Sequence, residues 1–243
     1  MNNDRHADRT AVVTGVGSGI GRATAERLLA EGARVIGLDR NDAAFADWND
    51  PKLDLRIVDI TDANQVQALA LDRVDILVNN AGIMDHFLPA GEVDDDTWDT
   101  VVAVNLTAVM RLSRLVLPLM QEQGAGAIVT VGSKGSQSGG VSGAAYAASK
   151  HGVIGLARHI AWFYGPAGIR SNVVCPGAVI TGIGGSATPR SEWALARAQT
   201  AMATMGALAE PDDIAAAISW LASDEARNVN GAVLSVDGGW SAA

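Results

Sequence analysis

Tyr146 and Lys150 stand four residues apart in a stretch with helical spacing, so both project from one helix face. A phenol and an ammonium held together can pass a proton to or from an oxygen. The cation is expected to draw the phenol's pKa down from its ordinary value of about 10 toward working pH. Taken alone, such a pair is usually a surface contact. A second group lies at the other end of the chain. Thr14-Gly15-Val16-Gly17-Ser18-Gly19-Ile20-Gly21 follows an apolar run and opens a helical stretch. Glycines there let the backbone turn tightly and approach a pyrophosphate, and the helix start offers free N–H groups and a positive dipole end. The spacing is G-x-x-x-G-x-G rather than G-x-G-x-x-G, so its position between strand and helix carries the reading.

Asp39 ends the next apolar run. A carboxylate there can accept hydrogen bonds from both ribose hydroxyls of NAD and would repel the extra phosphate of NADP. Arg40 follows directly and pulls the other way, since an arginine can bind that phosphate. Asp39 is given the greater weight.

The elements that must position these groups follow from the pattern. Thr10–Thr14, 34–38, 55–58, 75–78, 128–131, 170–174 and Val233–Val236 read as short, mostly uninterrupted apolar strands, separated by helical stretches. That alternation predicts an α/β fold, a doubly wound parallel sheet with helices on both faces. Helices are expected over 19–31, over 97–123 as two helices meeting near Val104, over 145–164, and over Pro211–Ala222. The last opens on Pro211 with Asp212 and Asp213 in its first turn. Residues 182–205, rich in Gly, Ala, Ser and Thr, break the rhythm and read as a lid or binding loop.

Composition narrows the function classes. The 243 residues are 48% hydrophobic and 19% charged, as expected of a globular chain. A net charge of −9 argues against nucleic acid and anionic lipid as partners. The single cysteine, Cys175, excludes an internal disulfide and fits a reducing compartment; it reads as a small buried hydrophobe. Residues 1–10 contain no apolar core of signal-peptide length, and apolar stretches break before a membrane-spanning length, so a cytoplasmic protein is expected. No metal is expected, because His6, His151 and His159 lack ligand spacing. His86 reads as a loop histidine with a substrate contact as the alternative. Trp193 caps a substrate pocket or packs the lid.

The ordered set formed by residues 14–21, Asn79-Asn80-Ala81-Gly82, Asn105, Ser133, Tyr146-x-x-x-Lys150 and Pro176-Gly177 resembles the short-chain dehydrogenase/reductase family over essentially the whole length. Ser133 stands thirteen residues before Tyr146, as in that family's pattern. The resemblance implies a single seven-stranded Rossmann domain, with a dinucleotide part over about 8–132 and a catalytic part over 133–243. It implies Tyr146 as general acid/base, Ser133 bonded to the substrate oxygen, Lys150 on the nicotinamide ribose, and Asn105 holding a water linked to Lys150. Gly15, Ser18, Gly19, Ile20, Gly21, Asp39 and Arg40 would contact NAD. Asp59 and Ile60 would flank the adenine, and Asn80, Ala81 and Gly82 would lie along the cofactor. Pro176, Gly177, Val179 and Thr181 would meet the carboxamide or phosphates, Val179 through its backbone. Gly132 stands where many members have a second serine, and Thr130 where Asn is frequent. The stretches 40–53 and 61–72 are short for the family, so truncated helices are expected there.

The resulting expectation is an NAD-dependent oxidoreductase interconverting a secondary alcohol and a ketone on a small molecule. A 3-oxoacyl-thioester reductase using NADPH is the alternative, and a nucleotide-sensing protein without turnover is a further one. A homotetramer is expected, because Val153, Ile154, Ile160 and Phe163 exceed what contact with the sheet requires. The C-terminal segment ending in Asp237-Gly238-Gly239-Trp240 would add a second contact.

Overall fold

The computed structural model describes residues 4–45, 48–181 and 187–242. Seven parallel strands form one sheet in the order β3-β2-β1-β4-β5-β6-β7. They are β1 (Thr10–Thr14), β2 (Arg34–Asp39), β3 (Leu53–Ile57), β4 (Ile76–Asn79), β5 (Gly126–Val131), β6 (Ile169–Pro176) and β7 (Val233–Val236). Helices cover both faces: α1 (Gly19–Ala30), α2 (Ala63–Gln67), α3 (Asp95–Val102), α4 (Ala108–Gln123), α5 (Ala144–Tyr164), α6 (Glu192–Met202) and α7 (Pro211–Ala222). This is a single Rossmann-type α/β domain.

Alternation along the strands divides the core in two. Ala11 and Val13 of β1 pack with Ala25 and Leu28 of α1 and with Ile214, Ile218 and Leu221 of α7. Val12, between them, faces Leu112, Val116 and Met120 of α4 and Ile160 of α5 on the other side. Strands covered on both faces need apolar residues at every position, which is why the inner ones read as continuous runs. Strand order reverses between β1 and β4, opening a crevice at the strands' carboxyl ends.

Several bounds differ from expectation. Edge strand β3 begins at Leu53, two residues before the predicted start, because Val35 and Ile36 pair with Leu53 and Asp54. Its residues are at most half-buried, so they carry little apolar signal. The two helices expected to meet near Val104 do so without a break. A π-helical segment, Ala103–Thr107, joins α3 to α4 in one helix from Asp95 to Gln123. That 29-residue helix is long and apolar enough to cross a membrane by length and composition. Here its apolar face, including Leu112, Val116, Leu117 and Met120, lies in the core. Among the described residues, the helical turns in the stretches 40–53 and 61–72 are the five-residue α2 and a 3₁₀ turn at Asp42–Phe45.

The N-terminal arm is fastened by a buried polar cluster. His6 is fully buried, with Nε2 3.1 Å from the Ser219 Oγ and 3.5 Å from Glu31 Oε2. The Ser219 hydroxyl donates to Glu31, which also pairs with Arg5 and Arg27. Burial lowers the His6 pKa to about 4 even though Glu31 opposes the shift. The folded state therefore holds His6 neutral, while the unfolded chain protonates near its ordinary value of 6.5. Stability from this group is full above that value and falls as pH drops from about 6.5 to about 4. Thermal melting between pH 7 and 4 should show this loss, and His6→Asn should flatten it. The lowered carboxylates of Asp62, Asp94 and Asp224 act only below their ordinary range, at more acid pH. Parallel melting curves for the two proteins would assign the slope elsewhere.

Candidate active site

Ser133, Tyr146 and Lys150 meet where β5 ends and α5 begins. Ser133 caps a short 3₁₀ turn: its Oγ accepts the Gly135 N–H at 3.0 Å, and its own N–H donates to Ser136 Oγ at 2.9 Å. That reciprocal pair fixes the Ser133 side chain beside the Tyr146 hydroxyl. Tyr146 and Lys150 lie on consecutive turns of α5 and are both buried. Lys150 Nζ donates to the Val131 carbonyl at 2.8 Å and sits 5.7 Å from the Tyr146 ring centroid.

The electrostatics differ from the expectation of a lowered phenol. Burial raises the Tyr146 pKa above 10, with Asp85 and Cys175 adding to the rise and Ser133 opposing it. Burial likewise lowers Lys150 to about 8. The same desolvation that gathers the pair disfavours charge on both members.

Asn105 sits in the π-helical segment, fully buried. Its side chain closes a two-bond ring with Ile83, accepting the Ile83 N–H and donating to its carbonyl, both at 2.9 Å. It also donates to Ser149 Oγ at 3.2 Å, and the Ser149 hydroxyl donates to the Tyr146 carbonyl at 2.8 Å. A Cβ on Gly82 would lie 3.3 Å from Asn105 Oδ1 and 3.4 Å from Lys150 Nζ, so Gly82 borders both. Widened turns of this kind inside α-helices are frequent at functional sites.

The second half of the site is the crevice over β1 and β2. Gly15 and Gly19 adopt left-handed φ of 70° and 54°. A Cβ on Gly21 would fall 2.0 Å from the Gly15 carbonyl oxygen. Asn80 Nδ2 donates to the Thr14 carbonyl at 2.9 Å, and Thr14 Oγ1 accepts the Asn80 and Ala81 N–H groups, both at 3.0 Å. Asn80 thus braces the glycine turn and directs its amide into the protein. Helix α1 has no side-chain cap at Ser18 and no acidic residue in its first turn, whereas α2, α3 and α6 are capped by Asp62, Asp94 and Ser191. Ile20 follows, half-buried. Asp39 accepts the Gly17 N–H at 2.9 Å and the Asn41 N–H at 3.1 Å, and Arg40 beside it is exposed.

Asp59 turns its carboxylate into its own turn, onto Thr61, and Ile60 packs against the core. Gly177 donates to the Val236 carbonyl, continuing the strand line past Pro176. Val179 bridges Ala209, yet the bonds run through Ala178 and Ile180. The N–H and carbonyl of Val179 therefore have no partner among the described residues. Thr181 lies against Gly19, 3.1 Å from where a Cβ there would stand. An uncapped helix start, a floor without side chains and a carboxylate at a strand end together fit a dinucleotide.

A family described as enoyl-(acyl carrier protein) reductase matches residues 15–241. The 3beta-hydroxysteroid dehydrogenase 2 of Eggerthella lenta is 39% identical over the full length of both chains. The chain belongs to the short-chain dehydrogenase/reductase family. Levodione reductase superposes with a TM-score of 0.85 at 36% identity, covering 98% of this chain and 99% of that one. A candidate NAD(P)-dependent gluconate 5-dehydrogenase from Beutenbergia cavernae, with NADP bound at low occupancy, gives 0.84 at 40% identity, with 98% of both chains covered. The protein is an NAD(P)(H)-dependent oxidoreductase acting on a small-molecule carbonyl or alcohol.

Within this short-chain dehydrogenase/reductase the departures have local causes. A Cβ on Gly132 would fall 2.8 Å from Ser136 Oγ and 2.9 Å from Cys175 Sγ, so no side chain fits. Cys175 is fully buried, as a small core residue. His86 Nδ1 bonds the Thr188 carbonyl at 2.9 Å, which ties its loop to the residues before α6. Of the predicted lid 182–205, residues 182–186 lie outside the described residues, and α6 forms most of the remainder. Trp193 is exposed and lines a cavity of about 360 Å³ with Phe87, Pro89, Gly143, Ala147 and Arg197. Two residues escaped the sequence reading. Ser149 was visible as the serine of Tyr146-Ala147-Ala148-Ser149-Lys150. Asp85, fully buried, had no local signal.

Proposed function

We propose that the protein interconverts a secondary alcohol and a ketone on an apolar small molecule, using NAD(H), with Tyr146 as acid/base. The observation that carries this reading is the convergence of Ser133, Tyr146 and Lys150 at the strand ends, beside the dinucleotide crevice. Nicotinamide bound there would supply or accept the hydride at the carbonyl carbon. The Tyr146 hydroxyl donates its proton to the ketone oxygen in reduction and takes it back in oxidation. Ser133 hydrogen-bonds the same oxygen. Lys150 contacts the nicotinamide ribose, and as an ammonium it supports the phenolate. Holding these groups in fixed geometry supplies much of the rate. The cavity beside Ala147 is walled mainly by apolar groups, and the relatives named for a hydroxysteroid and for levodione support a cyclic substrate. Steady-state assays with cyclic ketones and NADH test the reading. Tyr146→Phe should keep its fold and lose about 10²- to 10⁴-fold in kcat. Near-native activity in that variant would remove Tyr146 from the role.

NAD(H) is proposed over NADP(H) on the position of Asp39. The glycine loop and Asn41 hold its carboxylate at the end of β2, and each oxygen keeps a lone pair for a ribose hydroxyl. A phosphate would meet this charge, and the exposed Arg40 is the nearby cation in sequence. Ser18 offers no compensating charge. Loss of a charge-assisted contact is worth about 1.5–3 kcal/mol, so kcat/KM should favour NADH by at least about tenfold. Asp39→Ala should narrow the gap. Values favouring NADPH would give the pocket to Arg40 and favour the 3-oxoacyl-thioester reductase alternative.

A homotetramer is proposed on narrower grounds than the sequence suggested. Val153 and Ile160 are buried within the chain, and Trp240 packs onto α6, its Nε1 donating to the Ala201 carbonyl. Trp162 and Phe163 remain, 79% and 65% exposed on the last turn of α5. Adjacent large apolar groups left in water favour association. Light scattering should give the tetramer mass, and Trp162→Glu with Phe163→Glu should lower it. A monomeric parent protein would overturn this. The single buried thiol supports a cytoplasmic location.

A further inference from the structure

The first turn of α5 is held by a residue far away in sequence. Its N-cap is Gly143, which has no side chain to offer. Asp85 reaches in instead. Its Oδ1 accepts the Gly143 N–H at 3.1 Å, and its Oδ2 accepts the Tyr146 N–H at 2.8 Å. The aspartate is fully buried. A Cβ on Gly143 would stand 2.5 Å from both carboxylate oxygens, so the carboxylate fits only because that residue is glycine.

The segment bearing Asp85 is itself clamped. Leu88 donates its N–H to the Asp85 carbonyl at 3.1 Å, closing a turn, and its own carbonyl accepts the Ala144 N–H at 2.9 Å. Inside the turn, His86 and Phe87 both have φ of 56°, a left-handed conformation that residues with side chains rarely adopt. The Arg190 N–H bonds the His86 carbonyl at 3.1 Å. A turn this unfavourable locally persists where its surroundings over-determine it, and such places cluster at functional sites.

We infer that Asp85 is a positioning residue for the acid/base, holding Tyr146 by its own backbone N–H so that the hydroxyl stays beside Ser133. The inference rests on the reading of Tyr146 as acid/base. Asp85 also acts on Tyr146 through its charge. The groups facing the phenol are Ser133 from the end of β5, Lys150 from the next turn of α5, Cys175 from β6 and Asp85 from the loop. The negative charge of Asp85 favours the protonated phenol.

The test uses the full chain with Asp85→Asn, Asp85→Ala, Gly143→Ala and the double variant Asp85→Ala/Gly143→Ala. Each is assayed for kcat, for the KM of the nicotinamide cofactor, for the pH profile of alcohol oxidation and for melting temperature. Asp85→Asn keeps size and one acceptor but removes the charge. It should lower kcat and move the alkaline rise of oxidation to lower pH. Asp85→Ala should lower kcat by at least about tenfold, with the cofactor KM little changed, the pattern of a loss felt in the transition state. Gly143→Ala should cause a similar fall by displacing the carboxylate, and the double variant should be no worse than Asp85→Ala. If kcat and the pH profile stay put while only the melting temperature drops, Asp85 is a plain helix cap and the inference is wrong. Additive losses in the double variant overturn it too. Where Asp85→Ala does not fold, Asp85→Asn and Gly143→Ala decide. Activity retained in Tyr146→Phe would instead remove the acid/base reading, an outcome distinct from any of these.

Discussion

A parallel sheet sends every strand the same way, so the strand carboxyl ends and the following helix starts collect on one edge. Each helix start brings backbone N–H groups with no partner inside the helix and a positive dipole end. How those groups are satisfied divides the helices of this protein. Asp62, Asp94 and Ser191 close α2, α3 and α6 from their own sequence, and Glu210 with Asp213 closes α7 by a reciprocal pair. The starts of α1 and α5 have no such local side chain. One lies open to the crevice beneath the proposed cofactor. The other is closed from a distance by Asp85. The two starts without a local cap are those beside the proposed cofactor and the proposed acid/base.

Burial is the second constraint. Tyr146 and Lys150 are taken out of water together, which works against charge on either. The Val131 carbonyl gives Lys150 one acceptor, and the side of Lys150 bordered by Gly82 carries no side chain. With its pKa lowered to about 8, Lys150 can be neutral or charged near working pH, so a modest change in its surroundings shifts its state. Gly132 acts in the same way behind Ser133, where any side chain would press on Ser136 and Cys175. The site is shaped as much by places where side chains are missing as by those that carry chemistry.

These differences explain what the sequence made legible. Inner strands β2, β1, β4 and β5 are covered on both faces, so they stand out as apolar runs. Edge strand β3 has no such demand and was placed two residues late. Two helices were expected to meet near Val104; a π-helical segment joins them into one continuous helix, and periodicity does not distinguish a widened turn from a break. Ser133, Tyr146, Lys150 and the glycine turn carry spacing constraints within one element or between neighbours. Asp85 carries none. Its partners are Gly143 and Tyr146, some sixty residues on, and a lone aspartate after an apolar dipeptide reads as a loop. Val153 and Ile160 misled for the opposite reason: helix periodicity identifies an apolar residue but not which neighbour covers it.

The turn at Asp85–Leu88 joins these points into one mechanical unit. Two left-handed residues with side chains cost on the order of 1–3 kcal/mol each, and within the turn the Leu88 N–H bond to the Asp85 carbonyl stands against that cost. What holds the turn is attached at both of its ends. On one side the Asp85 carboxylate and the Leu88 carbonyl are bonded to the first turn of α5. On the other, the His86 ring and carbonyl are bonded to Thr188 and Arg190, and Arg190 pairs with Asp94 at the start of α3. Thr188, Arg190 and the backbone of Tyr146 are thus bonded to one turn. A turn formed from residues that disfavour its conformation persists because both attachments hold it, so Thr188, Arg190 and the first turn of α5 are constrained together.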